Sequence, residues 1–385
     1  MPRHYDIIVV GVGSMGSATC YHLARRGVRV LGLEQFNIPH DSGSHHGESR
    51  MIRLAYFEHP NYVPLLKRTY ELWREIEAAS NTKLLHITGG LYMGPPGSEL
   101  VDGALQSSQQ HDLAHEMLDC DQLRKRFPQF VPPADFNAIY EEEAGFLLPQ
   151  QAVSVHAEQA LKHGAELHGL EPVKSWSSAQ AGVTVQTDRE EYHADRVVFA
   201  GGAWTASLMS DLGVDLKVTR QVMAWFAPQA REPFAMEKFP VWFLETEPGH
   251  GHYGFPILPG GLGFKVALHK PATAVDPDAV DRAVQSRDVA NLSKFLGQYV
   301  PAAAGPLLSA CVCLYTYTPD SHFVVDRHPR HDRVTVACGF SGHGFKFSAV
   351  VGEVLADLAT NGRTDLPVDF LKLNQQALRL RQRKT

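Results

Sequence analysis

The sequence predicts a two-part fold of class α/β plus β: an interrupted dinucleotide-binding unit with an inserted unit on a mainly antiparallel sheet. Three observations lead there. The chain opens on a strand, a three-glycine turn, a helix and a second strand. Much later, another apolar strand ends in paired glycines. Between about 218 and 317, aromatic-heavy and alternating runs bounded by Gly and Pro read as strands. At 385 residues the chain also exceeds what one hydrophobic core organises, so two packed units are expected.

Tyr5 to Val10 is a short apolar run rich in β-branched residues, the pattern of a buried parallel strand. It runs into GVGSMG, where Gly11 permits the tight turn, Gly13 lets backbone amides approach a pyrophosphate, and Gly16 lets helix and strand pack closely. SATCYHLARRG reads as the helix, ending at Gly27, and its N-terminus faces the phosphate charge. GVRVLGLE supplies the second strand. Its last residue, Glu34, is 34 − 11 = 23 positions after Gly11, placed for the ribose hydroxyls, and its carboxylate repels a 2′-phosphate. The turn alone leaves FAD and NAD open; the whole register is Rossmann-like.

Further on, VPLLKRTYELWREIE carries Leu65, Leu66, Thr69, Leu72, Trp73 and Ile76 on one helical stripe. TGGLYMG is strand-like, and polar, Pro-rich sequence runs to about residue 140. QQAVSVHAEQALKHG is a helix closed by Gly164, and GVTVQT alternates around Val183 and Val185. Val197 to Ala200 then reads as a buried strand leading to Gly201 and Gly202, a second backbone approach to the same dinucleotide. The expected division is 1–85, 150–217 and 318–385 for the nucleotide unit, and 86–149 with 218–317 for the substrate unit.

Net charge, 36 − 42 = −6, disfavours nucleic acid and anionic membranes as partners. The basic end RLRQRKT reads as a solvated terminus. Five cysteines without framework spacing, no signal-peptide pattern and no run long enough to span a bilayer predict a reducing, cytoplasmic setting.

Four stretches, with the N-terminal turn, resemble the monomeric sarcosine oxidase family, to which N-methyltryptophan oxidase also belongs. They are SHHGESRMIR at 44–53, GFKVALH at 263–269, CLYTYTPDSHFVVD at 313–326 and GFSGHGFKFS at 339–348. The resemblance runs from the first strand to about residue 370. It implies FAD, held by a thioether from Cys313, the cysteine before Leu314, Tyr315 and Thr316; Cys311 shares the strand face but does not match. Lys265 matches a lysine that assists the reaction with oxygen, where a fixed ammonium stabilises superoxide character. His269, four residues on, shares its face in an extended strand. Ser49 and Arg50 match residues beside the flavin, with His45 near its pyrimidine side. Val173, Gly201, His343 and Gly344 complete the expected cofactor contacts, the last at the start of an amphipathic helix whose positive end faces an anion.

The same resemblance implies that Arg53 and Lys346 bind a substrate carboxylate, a task suited to bidentate guanidinium pairing. It implies that Gly342 offers a carbonyl to the substrate amine, and that Tyr253 and Tyr315 line the pocket. Phe243 and His252 depart from the sarcosine pattern around that pocket, and one extra residue falls between Gly254 and Lys265, which leaves the N-alkyl group and side chain of the substrate open. The implied reaction oxidises the C–N bond of an N-methyl amino acid to an imine, hydrolysed to aldehyde plus amino acid, with oxygen reduced to hydrogen peroxide. It needs no catalytic base and no metal, and the enzyme is expected to be a monomer. A flavin dehydrogenase using another acceptor, an NAD-linked dehydrogenase and a non-catalytic flavin-binding subunit are the competing readings. Peroxide formed under air, yellow colour retained through acid precipitation, and anaerobic bleaching by substrate discriminate them.

Overall fold

A computed structural model of the chain describes residues 4–373, so the basic end RLRQRKT lies outside the described residues. His4–Val10 lies inside an eight-stranded sheet, parallel to Val30–Leu33 on one side and Glu191–Phe199 on the other. Glu166–His168 extends the parallel run past Val30–Leu33, and Val334–Cys338 joins it alongside Val197, Val198 and Phe199. Gly182–Thr187 and Val173–Ala179 add antiparallel strands on the other half of Glu191–Phe199, and Val324–Arg327 pairs with Val334–Cys338. Every residue of Val30–Leu33 is buried, as expected when a parallel strand is covered on both faces.

The helices Ser14–Arg25, Val63–Ser80, Pro149–Lys162 and Ser348–Asn361 contribute to one apolar cluster against this sheet. All six stripe residues of Val63–Ser80 are buried, each large apolar side chain contributing about 1.5–3 kcal/mol. Ser14–Arg25 and Ser348–Asn361 pack so closely that a Cβ on Gly352 would come within 2.6 Å of the Ala18 Cβ.

A second eight-stranded sheet runs in the order Leu307–Tyr317, Lys217–Phe226, Phe264–His269, His250–Phe255, Val241–Glu247, Gly90–Gly94, Asn137–Glu141, Glu116–Leu118. Its neighbours are antiparallel except Val241–Glu247 beside Gly90–Gly94. Its apolar face is dominated by aromatics, including Phe130, Phe234, Phe239, Trp242, Phe264 and Phe295. A small third sheet sets Gly145–Leu147 between Arg50–Ile52 and Leu85–Ile87.

Two local expectations change. The polar stretch before residue 140 is structured: it holds the helices Glu99–Gln110 and Cys120–Arg126 besides two strands. Ser98 caps the first, its hydroxyl accepting from Val101 N, and Asp119 with Gln122 forms a capping box on the second. After Gly344 the chain first makes a 3-10 turn, Phe345–Phe347, and the α-helix begins only at Ser348. No helix among the described residues is long and apolar enough to cross a membrane.

Candidate functional site

A cavity of about 350 Å³ lies at the carboxyl ends of the parallel strands, bordered by Gly11, Gly13, Glu34, Val173, Gly201 and Gly344. That is where an open α/β sheet binds its ligand. Gly11 has φ +89°, and a Cβ there would sit 2.6 Å from the Ala200 carbonyl oxygen, so only glycine lets the turn and the later strand end meet. Gly13 precedes the helix with no side-chain cap, leaving its first amides free for an anion. Glu34 accepts from Val12 N (2.9 Å) and Phe36 N (3.0 Å), which leaves further lone pairs for ligand hydroxyls.

His45 borders the cavity with its Nε2 buried and unpartnered among the described residues, and burial pushes its imidazole down to about 3. A glycine cradle, uncapped helix amides, a ribose-placed acid and an orphaned polar nitrogen fit a dinucleotide such as FAD. Gly16 stands apart from that lining: any Cβ on it would collide with the Gly11 carbonyl, so it packs helix on turn.

A smaller cavity of about 70 Å³ adjoins the first, and Arg50, Tyr315, Gly342 and Phe345 border both. Arg53 and Lys346 are both buried and both face it. The Arg53 Nη2 donates to the two Glu58 oxygens at 2.8 Å each, its Nε has no partner among the described residues, and its guanidinium lies 4.8 Å from the Phe57 ring centre. Burial works against the Arg53 charge, yet Glu58, with Tyr56 and Tyr92, together offset it and the pKa is raised.

Lys346 Nζ donates to the His343 carbonyl (2.8 Å); burial and then Arg53 push it down to about 7, with Glu58 opposing. His269 borders the same space, and burial first, then His343, hold it neutral at about 3. The Tyr253 and Tyr315 hydroxyls are 2.9 Å apart, and a Cβ on Gly342 would strike the Tyr315 ring at 2.5 Å. The arrangement is a niche lined by three cationic side chains, Arg50, Arg53 and Lys346, against one carboxylate, Glu58, opening on the larger cavity.

Lys265 and Ser49 border neither cavity; Ser49 belongs to the loop at 43–50, and the Lys265 amine bonds to that loop. Lys265 Nζ reaches Gly47 O (2.6 Å), Ser49 O (2.7 Å) and Ser49 Oγ (3.2 Å). Arg50 donates to Ser44 O (2.9 Å) and approaches the Cys313 sulfur at 3.7 Å; Ser44 and Arg50 belong to the large cavity, so this thiol stands just behind its wall. Cys311, Cys313, Tyr315 and Tyr317 contribute to one cluster from the strand Leu307–Tyr317, and the Cys311 sulfur lies 3.8 Å from His46 Nδ1.

Two expected placements are corrected. His343 borders the small cavity rather than the large one, and both its ring nitrogens are engaged, by the Tyr56 hydroxyl (2.5 Å) and Ser321 O (3.0 Å). His252 is away from the pocket, stacked on Phe295 at 3.8 Å, because strand alternation turns it opposite to Tyr253. Phe243 does line the small cavity. Glu58, Tyr56 and Glu48 are absent from the sequence reading: each acts across a loop, where no periodicity marks it.

Among the described residues, one group gathers metal-ligating atoms, Asp211 with His328 and His331. Arg330 N donates to His328 Nδ1 (3.2 Å), so a neutral His328 carries its proton on Nε2, facing Asp211 at 3.3 Å. That nitrogen then has no lone pair to offer, and Arg330 already holds the carboxylate at 2.5 Å. The group is a charge network.

The model of the family described as FAD dependent oxidoreductase matches residues 6–358. A monomeric sarcosine oxidase of Streptomyces avermitilis is 46% identical over 96% of this chain and 97% of its own length. An N-methyl-L-tryptophan oxidase of Yersinia pseudotuberculosis is 33% identical over 96% of this chain and 98% of its own. Among solved structures, NikD, an unusual amino acid oxidase essential for nikkomycin biosynthesis, superposes in its open form with a TM-score of 0.84 at 26% identity, covering 96% of this chain and 97% of that one.

Proposed function

The chain belongs to the FAD-dependent oxidoreductase family, and from that premise we propose that it oxidises the C–N bond of a small N-methyl amino acid such as sarcosine. The observation that carries this reading is the convergence of Arg53 and Lys346 on a small cavity continuous with the dinucleotide cavity. When bound, FAD supplies the two-electron oxidation of the amine and the delivery of those electrons to oxygen as hydrogen peroxide. This chain's residues bind, orient and tune.

Arg53 and Lys346 take the substrate carboxylate, which competes with Glu58 for the guanidinium and restores the charge that burial and Arg53 drain from Lys346. The amine is thereby held toward Gly342, Tyr315 and neutral His269. Two nearby cations disfavour its protonated form, leaving the lone pair that C–H cleavage requires. No side chain is needed as a base. Water then hydrolyses the imine to aldehyde and amino acid. Lys265, below the 47–49 turn, is the ammonium on the oxygen side. Its assignment, like the thioether from Cys313 and the roles of Ser49 and Arg50, rests on the family resemblance, with Arg50 in the large cavity's wall and the Cys313 sulfur just behind it.

A small substrate is favoured by the niche itself. At about 70 Å³ it matches the liquid volume of about two water molecules, and Phe57 and Phe243 wall it. An indole side chain would have to displace them. The higher identity to the sarcosine oxidase than to the N-methyl-L-tryptophan oxidase points the same way.

An anaerobic screen tests the proposal: sarcosine should bleach the yellow protein faster than N-methyltryptophan, and air should return the colour with peroxide. A protein bleached by no N-methyl amino acid would sink it. Cys313→Ala should release its FAD on acid precipitation, and flavin still attached would show that another residue carries the link.

A further inference from the structure

We propose that Glu48 is a positioning residue for the oxygen side of the reaction: it clamps the strained turn whose carbonyls hold the Lys265 ammonium. This rests on the reading of Lys265 given above. Glu48 has φ +65°, a left-handed conformation that side-chain-bearing residues rarely hold without compensation. Ser49 N donates to Gly47 O (2.8 Å), closing a three-residue turn around it. Gly47, at φ +90°, holds a left-handed conformation that side-chain-bearing residues rarely adopt, and a Cβ there would also push the Met223 methyl aside from 2.7 Å. The turn thus aims two carbonyls, Gly47 O and Ser49 O, at one amine.

What holds the turn is the Glu48 side chain. One oxygen accepts from Trp225 Nε1 at 2.6 Å and the other from Leu262 N at 3.2 Å. Both anchors belong to the frame that carries Lys265. Trp225 is its cross-strand partner, and Leu262 is three residues before it, at the entry to the same strand. The carboxylate therefore ties the acceptors to the strand that carries the donor, fixing their mutual position.

Charge adds a second effect. Lys265 is held well below the usual lysine range, by burial first and then by Arg50, while Cys311, Glu48 and Cys313 act to raise it. His46 faces the same group and is kept neutral by burial. Among these neighbours Glu48 is the one carboxylate. Hydrogen bonding does not decide the protonation state, because the Ser49 hydroxyl can accept from an ammonium or donate to a neutral amine. Glu48 acts toward the charged form, which is the form that stabilises negative charge on oxygen.

The test compares the parent with Glu48→Gln, Glu48→Asp and Lys265→Met, all FAD-loaded, and titrates protein labelled with 13C at the lysine ε-carbon. The resonance missing from Lys265→Met identifies Lys265. In Glu48→Gln its pKa should fall by about one unit, with Glu48→Asp recovering most of the shift. Rapid mixing with oxygen should show the oxygen step slowed about ten-fold in Glu48→Gln at neutral pH, with anaerobic reduction by substrate within about two-fold of the parent. The pH at which the oxygen step declines should move down with the Lys265 titration.

An unchanged titration and an unchanged oxygen step in folded Glu48→Gln overturn the inference. If Lys265→Met itself leaves the oxygen step untouched, the assignment of Lys265 fails, and the NMR titration still decides whether Glu48 governs that amine. Should Glu48→Gln not fold, Trp225→Phe removes one anchor and keeps the carboxylate. It should slow the oxygen step about three-fold, and no change there refutes the clamp.

Discussion

The two adjoining cavities are built by opposite means. The larger has a backbone floor, with glycines at 11, 13 and 201 and uncapped amides at a helix start, and its charged groups, Glu34, Arg50, Lys174 and Asp278, make no cluster like that of the smaller. The smaller is walled by side chains from several distant segments, with Arg53, Glu58 and Lys346 packed together and the pKa values of Arg53 and Lys346 shifted by burial and by their neighbours. A backbone site tolerates change in side-chain identity but not in conformation. A side-chain site behaves the other way, and its ligand affinity must follow pH.

Arg53→Met should break the comparison most visibly. Losing a buried, charge-assisted carboxylate partner is expected to lower kcat/KM about a thousand-fold while FAD content stays at the parent level. A loss of flavin instead would mean the two cavities are not separable. Gly11→Ala should do the reverse, since its Cβ meets Ala200 O and its φ is left-handed. FAD loading should fall roughly ten- to hundred-fold for a strain of about 1–3 kcal/mol, read from the flavin-to-protein absorbance ratio.

Lys346 sharpens the contrast through pH. Its free-protein value near 7 means the ammonium is present below that pH and lost above it. A carboxylate without an amine, such as propionate, should therefore bind about ten-fold more weakly per unit above pH 7, a slope that Lys346→Met should flatten. The smallest effect is expected from Phe243→Ala. Opening one wall should raise kcat/KM for a bulkier N-methyl amino acid by about three- to ten-fold relative to sarcosine, and an unchanged ratio would place selectivity elsewhere.

The same division governs what the sequence reveals. The backbone-built site is legible because strand, glycine turn, helix and acid are contiguous and each has a local signature; Gly11, Gly13 and Glu34 all border the large cavity. The side-chain site becomes legible only through resemblance to a family, which supplies Arg53 and Lys346 but not Glu58, since a loop residue five positions from Arg53 carries no spacing that marks it. His252 illustrates the opposite error: it stands beside Tyr253 in sequence, and period-two alternation sends it to the other side of the sheet. The helix Cys120–Arg126 hides in polar sequence, although the Asp119 and Gln122 spacing is a usable signal for it.

The strand Leu307–Tyr317 pairs along its length with Lys217–Phe226, so its residues keep a fixed spacing. Alternate positions on a strand are about 6.6–6.8 Å apart. That makes the strand a ruler, graduated by Cys311, Cys313 and Tyr315, on which the proposed cofactor tether and the proposed substrate wall are marked one step apart. A tether moved to Cys311 would sit a full graduation further from Tyr315, and no side-chain rotation could restore the gap.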